Sequence, residues 1–320
     1  MTLEKGCSIW HKQTLSHEKI RMNTQDKDQA QSAQIKLIDV RKVAAAKLKR
    51  PLPRFVTRFL EKWICQDEIN YVLSKYGHLE GIEFARQLIE YFNIHLSFKG
   101  VERLPKDPRQ LFICNHPLGA LDGICLTVMI AEHYQTEIRY IVNDMLLNLE
   151  PFRHIFVPVN TLGAQSRESV VKLNEALAGP YPVITFPAGV CSRKINGEIM
   201  DLPWKNSYIR QATRYERNIV PLYFDGYNSK RFYQTELWRK RLGVKFNIGT
   251  TMLPQEMFKS KGNHYTVLVG DPISYKDLQE RKERVDVLSK KIRAQVYSLP
   301  SFYLTEDVKP KTTTNHEQKK

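Results

Sequence analysis

From His95 onward the chain alternates short apolar segments with amphipathic stretches of helical period, and this rhythm constrains the fold more than any other feature. Strands covered on both faces by crossover helices read as short apolar runs, so the pattern predicts an α/β fold with an open, mostly parallel (mixed) sheet flanked by helices. Strands are predicted at His95–Lys99, Leu111–Cys114, Arg139–Val142, Ile155–Val159, Val183–Phe186, Val220–Phe224 and Tyr265–Val269. Helices are predicted at Ile124–Tyr134, Glu168–Leu177, Lys205–Tyr215, Tyr233–Leu242 and Tyr275–Ser298. In such sheets the chemistry collects in loops past the carboxyl ends of the strands. Residues 37–94 read as helical, with turns at Pro51–Pro53 and around Tyr76–Gly81. The expected organisation is a disordered polar tail (1–34), a basic helical section (35–94), the α/β domain (95–304) and a second polar tail (305–320).

Several classes are set aside. No apolar run reaches the roughly 18–20 residues of a membrane span; the longest, Leu111–Ile130, is interrupted by Asn115, His116, Pro117 and Asp122. Met1–Lys36 lacks the apolar centre of a secretion signal. The cysteines at 7, 65, 114, 125 and 191 have no CxxC spacing. They indicate neither a disulfide framework nor a zinc site, and they fit a reducing, cytoplasmic compartment.

The chain carries 49 Lys+Arg against 34 Asp+Glu, a net charge of +15, which implies an anionic partner: lipid surface, acidic metabolite or nucleic acid. No nucleic-acid motif is present. Nine basic residues fall between Lys36 and Lys62. Within PLPRFVTRFLEKWI, Phe55, Phe59, Trp63 and Ile64 lie near one helical face, with Arg54, Arg58 and Lys62 beside it. That pattern suits a helix lying on anionic lipid and equally an amphipathic helix packed on its own domain. A second cluster, Lys230, Arg231, Arg239, Lys240 and Arg241 with Phe232, Tyr233 and Trp238, fits a solvated helix face.

Four segments carry candidate chemistry. In ICNHPLGALDG, a buried strand ends in Asn115–His116, and Pro117 and Gly119 break regular structure before Asp122. Six positions apart, His116 and Asp122 would diverge on a continuous helix, but a loop can fold the carboxylate onto the imidazole. An Asp accepting from Nδ1–H fixes the tautomer and frees Nε2 to take a proton from a hydroxyl. The alternative is an N-capping Asp beside a structural His. No GxSxG elbow is present, so the attacking group is expected on the substrate. FVPVNTLGAQSRES brings Arg167 to a helix start, where it either meets an anionic headgroup or faces solvent. VITFPAGVCSRK offers Gly189 for close backbone approach and Arg193 as a fork for carboxylate or phosphate. NIVPLYFDG starts a strand at Val220–Pro221, with a structural proline.

In order and spacing these segments resemble the four motifs of the glycerolipid (lysophospholipid) acyltransferase family, over roughly Leu96–Ile273. NHPLGALDG is similar to the family's first motif, Phe156–Glu168 stands at the second, FPAGVCSR at the third, and IVPL at the Val-Pro fourth. The resemblance implies that His116 is the general base for an acceptor hydroxyl attacking an acyl thioester, with Asp122 orienting it. It also implies headgroup contacts from Arg167 and Arg193. Asn115 and Gly189 belong to the same substrate-binding set. Two departures stand out: Pro117–Leu121 places five residues between His and Asp, not four, and Ala188 replaces the third motif's Glu.

Both departures resemble the hemolysin-like branch, whose members O-acylate lyso-aminolipids. The expected reaction is transfer from acyl-carrier protein or acyl-CoA to the 3-hydroxyl of an N-(3-hydroxyacyl)-glycine or -ornithine, with no metal or other cofactor. The expected partners are that lipid acceptor, the thioester carrier and the inner face of the cell membrane, with the protein peripheral and cytoplasmic. The alternatives are a 1-acyl-glycerol-3-phosphate acyltransferase and a non-catalytic basic protein that binds membranes.

Overall fold

The computed structural model describes residues 37–42, 51–160, 165–243 and 248–308. The expected tail 1–34 lies outside the described residues, as does the chain beyond 308. Strands form at β1 (His95–Lys99), β2 (Leu111–Cys114), β3 (Arg139–Asn143), β4 (Phe156–Val159), β5 (Val183–Thr185), β6 (Arg193–Ile195), β7 (Glu198–Met200), β8 (Ile219–Asp225) and β9 (His264–Val269). Seven of them make one sheet in the order β1–β9–β8–β2–β5–β3–β4. Every neighbouring pair is parallel except β8 and β9. β6 and β7 pair antiparallel as a separate hairpin.

The central strand shows why the sheet needs helices on both faces. All of β2 is buried, and its side chains alternate. Phe112 and Cys114 enter one core, and Leu111 and Ile113 enter the other. The first core is closed by α2 (Gln66–Tyr76), α3 (Gly81–Tyr91) and α4 (Leu121–Tyr134), through Leu73, Phe84, Leu88, Leu126 and Ile130. The second is closed by α5 (Arg167–Ala178), α6 (Ser207–Arg214), α9 (Tyr275–Glu280) and α10 (Val285–Val308). α1 (Arg54–Trp63) meets α8 (Ile248–Lys259), where Trp63 Nε1 donates to Thr251 Oγ1 at 2.9 Å. α7 (Lys230–Arg241) completes this side.

At the opposite end of the strands, the wholly buried Arg217 takes the place of a linker. It donates to the carbonyls of Leu177 and Gly179 at 2.6 Å, Tyr181 at 2.8 Å, Ala176 at 3.1 Å and Gln110 at 3.2 Å. These include the orphan carbonyls at the end of α5, the negative end of its dipole. Burial pushes the guanidinium pKa down to about 10, so it is still charged at neutral pH.

Three elements differ from expectation. The predicted helix Tyr275–Ser298 is two helices, because Arg281 is extended (φ −68°, ψ 126°), and the second continues through Pro300 to Val308, into the segment expected as tail. α8 contains Pro254, which weakens its helical signal. The hairpin β6–β7 turns at Asn196 (φ 49°) and Gly197 (φ 94°), the Asn-Gly pair that a tight hairpin favours.

Candidate active site

The site lies past the carboxyl ends of the central strands. Pro117 to Ala120 form the loop between β2 and α4, and Gly119 lies at φ +83°. A Cβ there would press within 2.9 Å of Cys191 and Leu253, so this left-handed step requires glycine. The loop folds Asp122, in the first turn of α4, back onto His116: Nδ1 stands 2.9 Å from Oδ2. The carboxylate is fully buried, and Oδ2 also accepts from the N–H groups of Leu118 (3.0 Å) and Gly119 (3.2 Å). Oδ1 accepts from Gly123 N–H at 2.9 Å. An acceptor-only carboxylate at Nδ1 leaves that nitrogen protonated and Nε2 as the basic one. Among the described residues Nε2 has no hydrogen-bond partner. Phe186 stacks on the imidazole, with centroids 4.0 Å apart.

The residues that the sequence grouped with this pair are placed differently. Asn115 is buried between strands: its Nδ2 donates to Phe224 O (3.0 Å), and its Oδ1 accepts from Phe224 N–H (2.7 Å). It continues the β2–β8 pairing by one side chain. Gly189 lies at φ +69° in a turn closed by its N–H on Phe186 O at 2.9 Å, and the ammonium of Lys205 lies 3.4 Å from where a Cβ would stand. Arg193 turns into the protein, with Nε 3.1 Å from the buried Glu236 and Nη1 on the carbonyl of Cys191 at 2.7 Å. Glu236 also pairs with Arg239 and accepts from Gly249 N–H. Arg167 is exposed at the first position of α5, beside the Ser166 cap, and is no part of the hydrogen-bonded cluster around His116. Residues 161–164 of that second segment lie outside the described residues.

Two residues that no motif flagged hold the loop. Asn228 Nδ2 donates to Pro117 O at 3.1 Å. Asp201, fully buried at the end of β7, accepts the main-chain N–H of His116 at 3.1 Å. Burial raises the Asp201 pKa, and hydrogen bonds from Ser192, Trp204 and His116 oppose that rise. The only sequence signal for Asp201 was the Asn-Gly turn that brings it back.

A buried strand ending in a carboxylate-held imidazole, with no enzyme hydroxyl or thiol on Nε2 among the described residues, is suited to transferring an acyl group onto a substrate hydroxyl. Residues 39–301 match the family described as "Acyltransferase", and the chain belongs to that family; it is an acyltransferase. It is 37% identical over 249 residues to the lyso-glycine lipid O-acyltransferase of Phocaeicola vulgatus, covering 77% of this chain and 89% of that protein. The protein of the same name from Bacteroides thetaiotaomicron is also 37% identical over 249 residues, with 77% and 92% covered. Among solved structures, the 1-acyl-sn-glycerophosphate acyltransferase of Thermotoga maritima aligns with a TM-score of 0.40 and 12% identity, over 77% of this chain and 95% of that one. Among the described residues no helix is long and apolar enough to cross a membrane, and no cluster of His, Cys, Asp and Glu could hold a metal ion.

Proposed function

We propose that the protein acylates a lyso-aminolipid, moving a fatty acyl group from an acyl-carrier-protein or CoA thioester to the 3-hydroxyl of an N-(3-hydroxyacyl)-glycine, or its ornithine counterpart. The observation that carries the reading is the 2.9 Å contact between His116 Nδ1 and the buried Asp122 carboxylate. His116 Nε2 takes the hydroxyl proton as the alkoxide oxygen attacks the thioester carbonyl. Asp122 stabilises the imidazolium that forms, and the thiolate leaving group then takes the proton. General-base action of this kind is worth roughly 10²–10⁴-fold. The glycine headgroup is favoured by the two relatives, which carry lyso-glycine lipid in their names. In the same reading Ala188, buried in the second core, replaces a charged contact to a phosphate headgroup.

The acceptor is a lipid, and the reading puts the protein on the inner face of the cell membrane. Phe55 (76% exposed) and Phe59 (61%) of α1 and Trp238 (60%) of α7 support it. Arg231 of α7 lies over the Trp63 ring of α1 at 5.7 Å, so the two helices present their basic and aromatic residues side by side.

Lipid mass spectrometry on cells supplied with N-(3-hydroxyacyl)-glycine tests the reading. A diacylated glycine lipid that is absent from cells carrying His116→Ala is the expected result. Accumulation of phosphatidic acid instead would move the acceptor to a lysophosphatidic acid, and an active, folded His116→Ala enzyme would remove the base.

A further inference from the structure

We infer that Asp201 is a positioning residue for His116 and that the hairpin β6–β7 is the device that delivers it. The inference rests on His116 acting as the base. Ser192 immediately precedes β6, and Asp201 immediately follows β7. Across the base of the hairpin, Ser192 Oγ donates to Asp201 Oδ1 at 2.6 Å. The two ends close on both main-chain groups of His116. Asp201 Oδ1 accepts its N–H at 3.1 Å, and Ser192 N–H donates to its C=O at 2.7 Å. With φ and ψ of His116 held in this way, the direction of its Cα–Cβ bond is fixed. Asp122 on Nδ1 and Phe186 on the ring face then fix the two side-chain torsions.

The chemistry of position 201 is specific. Oδ2 accepts from Trp204 Nε1–H at 2.8 Å, so all three side-chain contacts of Asp201 are donors pointing inward. Only a group with two acceptor oxygens satisfies them. An amide would set an N–H against either the indole N–H or the pair from His116 and Ser192. On its outer side, Asp201 N–H donates to Tyr297 OH and its carbonyl accepts from Arg293, both at 2.7 Å and both on α10. The position of α10 therefore reaches the base through two residues.

The test uses Asp201→Asn, Trp204→Phe and the double variant, with N-(3-hydroxyhexadecanoyl)glycine as acceptor and an acyl-carrier-protein thioester as donor. Melting temperature is followed alongside kcat and KM. Asp201→Asn is expected to lower kcat about tenfold or more, with KM changed less than about threefold, the signature of a misplaced catalytic group. Trp204→Phe removes the opposing N–H, so the amide can turn its oxygen back to His116. The double variant should return to within about threefold of Trp204→Phe alone. Wild-type kcat in Asp201→Asn would overturn the inference, as would a loss that Trp204→Phe leaves unrepaired in a protein melting like the wild type. If Asp201→Asn does not fold, Ser192→Ala carries the test: the expected result is kcat down about two- to fivefold at constant KM, and an unchanged kcat counts against the clasp. Active His116→Ala would instead remove the base itself, a different failure.

Discussion

The Phe186 ring lies with its centroid 4.0 Å from that of His116, inclined 26°, while its other neighbour, Tyr140, meets it edge-on at 5.6 Å. The imidazole is therefore backed on one face by an aromatic layer, which opposes rotation about its Cβ–Cγ bond. Phe186→Leu keeps the site apolar but removes the stack. A ring pairing worth about 0.5–1.5 kcal/mol is lost, and kcat should fall roughly three- to tenfold with little change in melting temperature. An unchanged kcat would show that the stack does not set the geometry of the base.

Asp122→Asn should be far more damaging than its size suggests. Oδ2 receives three donors, from His116, Leu118 and Gly119. An amide nitrogen facing them would repel all three, and an amide oxygen facing them could not balance the imidazolium. A loss of about 10²-fold or more in kcat is expected in a protein that still folds. Single-turnover kinetics with folded variant would check this, and a loss below tenfold would exclude Asp122 from the orienting role.

Arg217→Met is predicted to act on stability and not on catalysis. It removes the guanidinium donors from five carbonyls, of which that of Gln110 keeps the N–H of Val183 at 3.1 Å. A cost of about 3–5 kcal/mol is expected from such a buried network, read as a lowered midpoint in urea. Activity per folded molecule should stay close to wild type, because the residue sits at the far end of the strands from His116.

The cysteines should be poor nucleophiles. Burial pushes the Cys191 thiol up to about 11, against the pull of Arg193, and raises Cys114 and Cys125 well above their ordinary value. Because a raised pKa depletes the thiolate below it, iodoacetamide labelling of a native Cys7→Ser variant should be slow at pH 8 and rise towards pH 11. Unfolding should release all four remaining thiols. Rapid labelling of Cys191 at pH 8 would contradict this, and retained activity after labelling of Cys65 alone is expected.

Replacing Phe55, Phe59 and Trp238 together by Ser should weaken binding to vesicles containing anionic lipid by about tenfold or more. Added salt should weaken the wild type as well, because the flanking Arg and Lys residues act through screened charge. Cosedimentation measures both effects. Equal binding by the triple variant would show that the aromatic residues do not enter the lipid surface.

Much of this arrangement is legible in the chain. Each of the seven sheet strands lies within a residue or so of its expected place; the central β2, β5 and β8 are buried and read as apolar runs, whereas the edge strand β1 keeps the alternation of a half-exposed strand. His116 and Asp122 were legible because Pro117 and Gly119 announce the loop that joins them. Arg193 was misleading in isolation. Its carboxylate partner, Glu236, stands on a helix 43 positions later, and no local pattern links the two. The contact Asp201 makes has no sequence signature of its own for a related reason: its partner is a main-chain N–H 85 residues away, which every residue type but proline presents alike. The Asn196–Gly197 turn was available as a hairpin signal between the short runs Arg193–Ile195 and Glu198–Met200.

That hairpin also divides tolerance from intolerance within a dozen residues. Its base grips the peptide groups of His116, whereas the space around Gly197 is open for 4 Å, so that only its φ of +94° calls for glycine there. Insertions, a fluorophore or an affinity tag placed at the tip should leave the grip untouched, so the turn is the natural handle for watching this enzyme arrive at its lipid. The same geometry marks where this chain can gain length without moving Nε2 of His116.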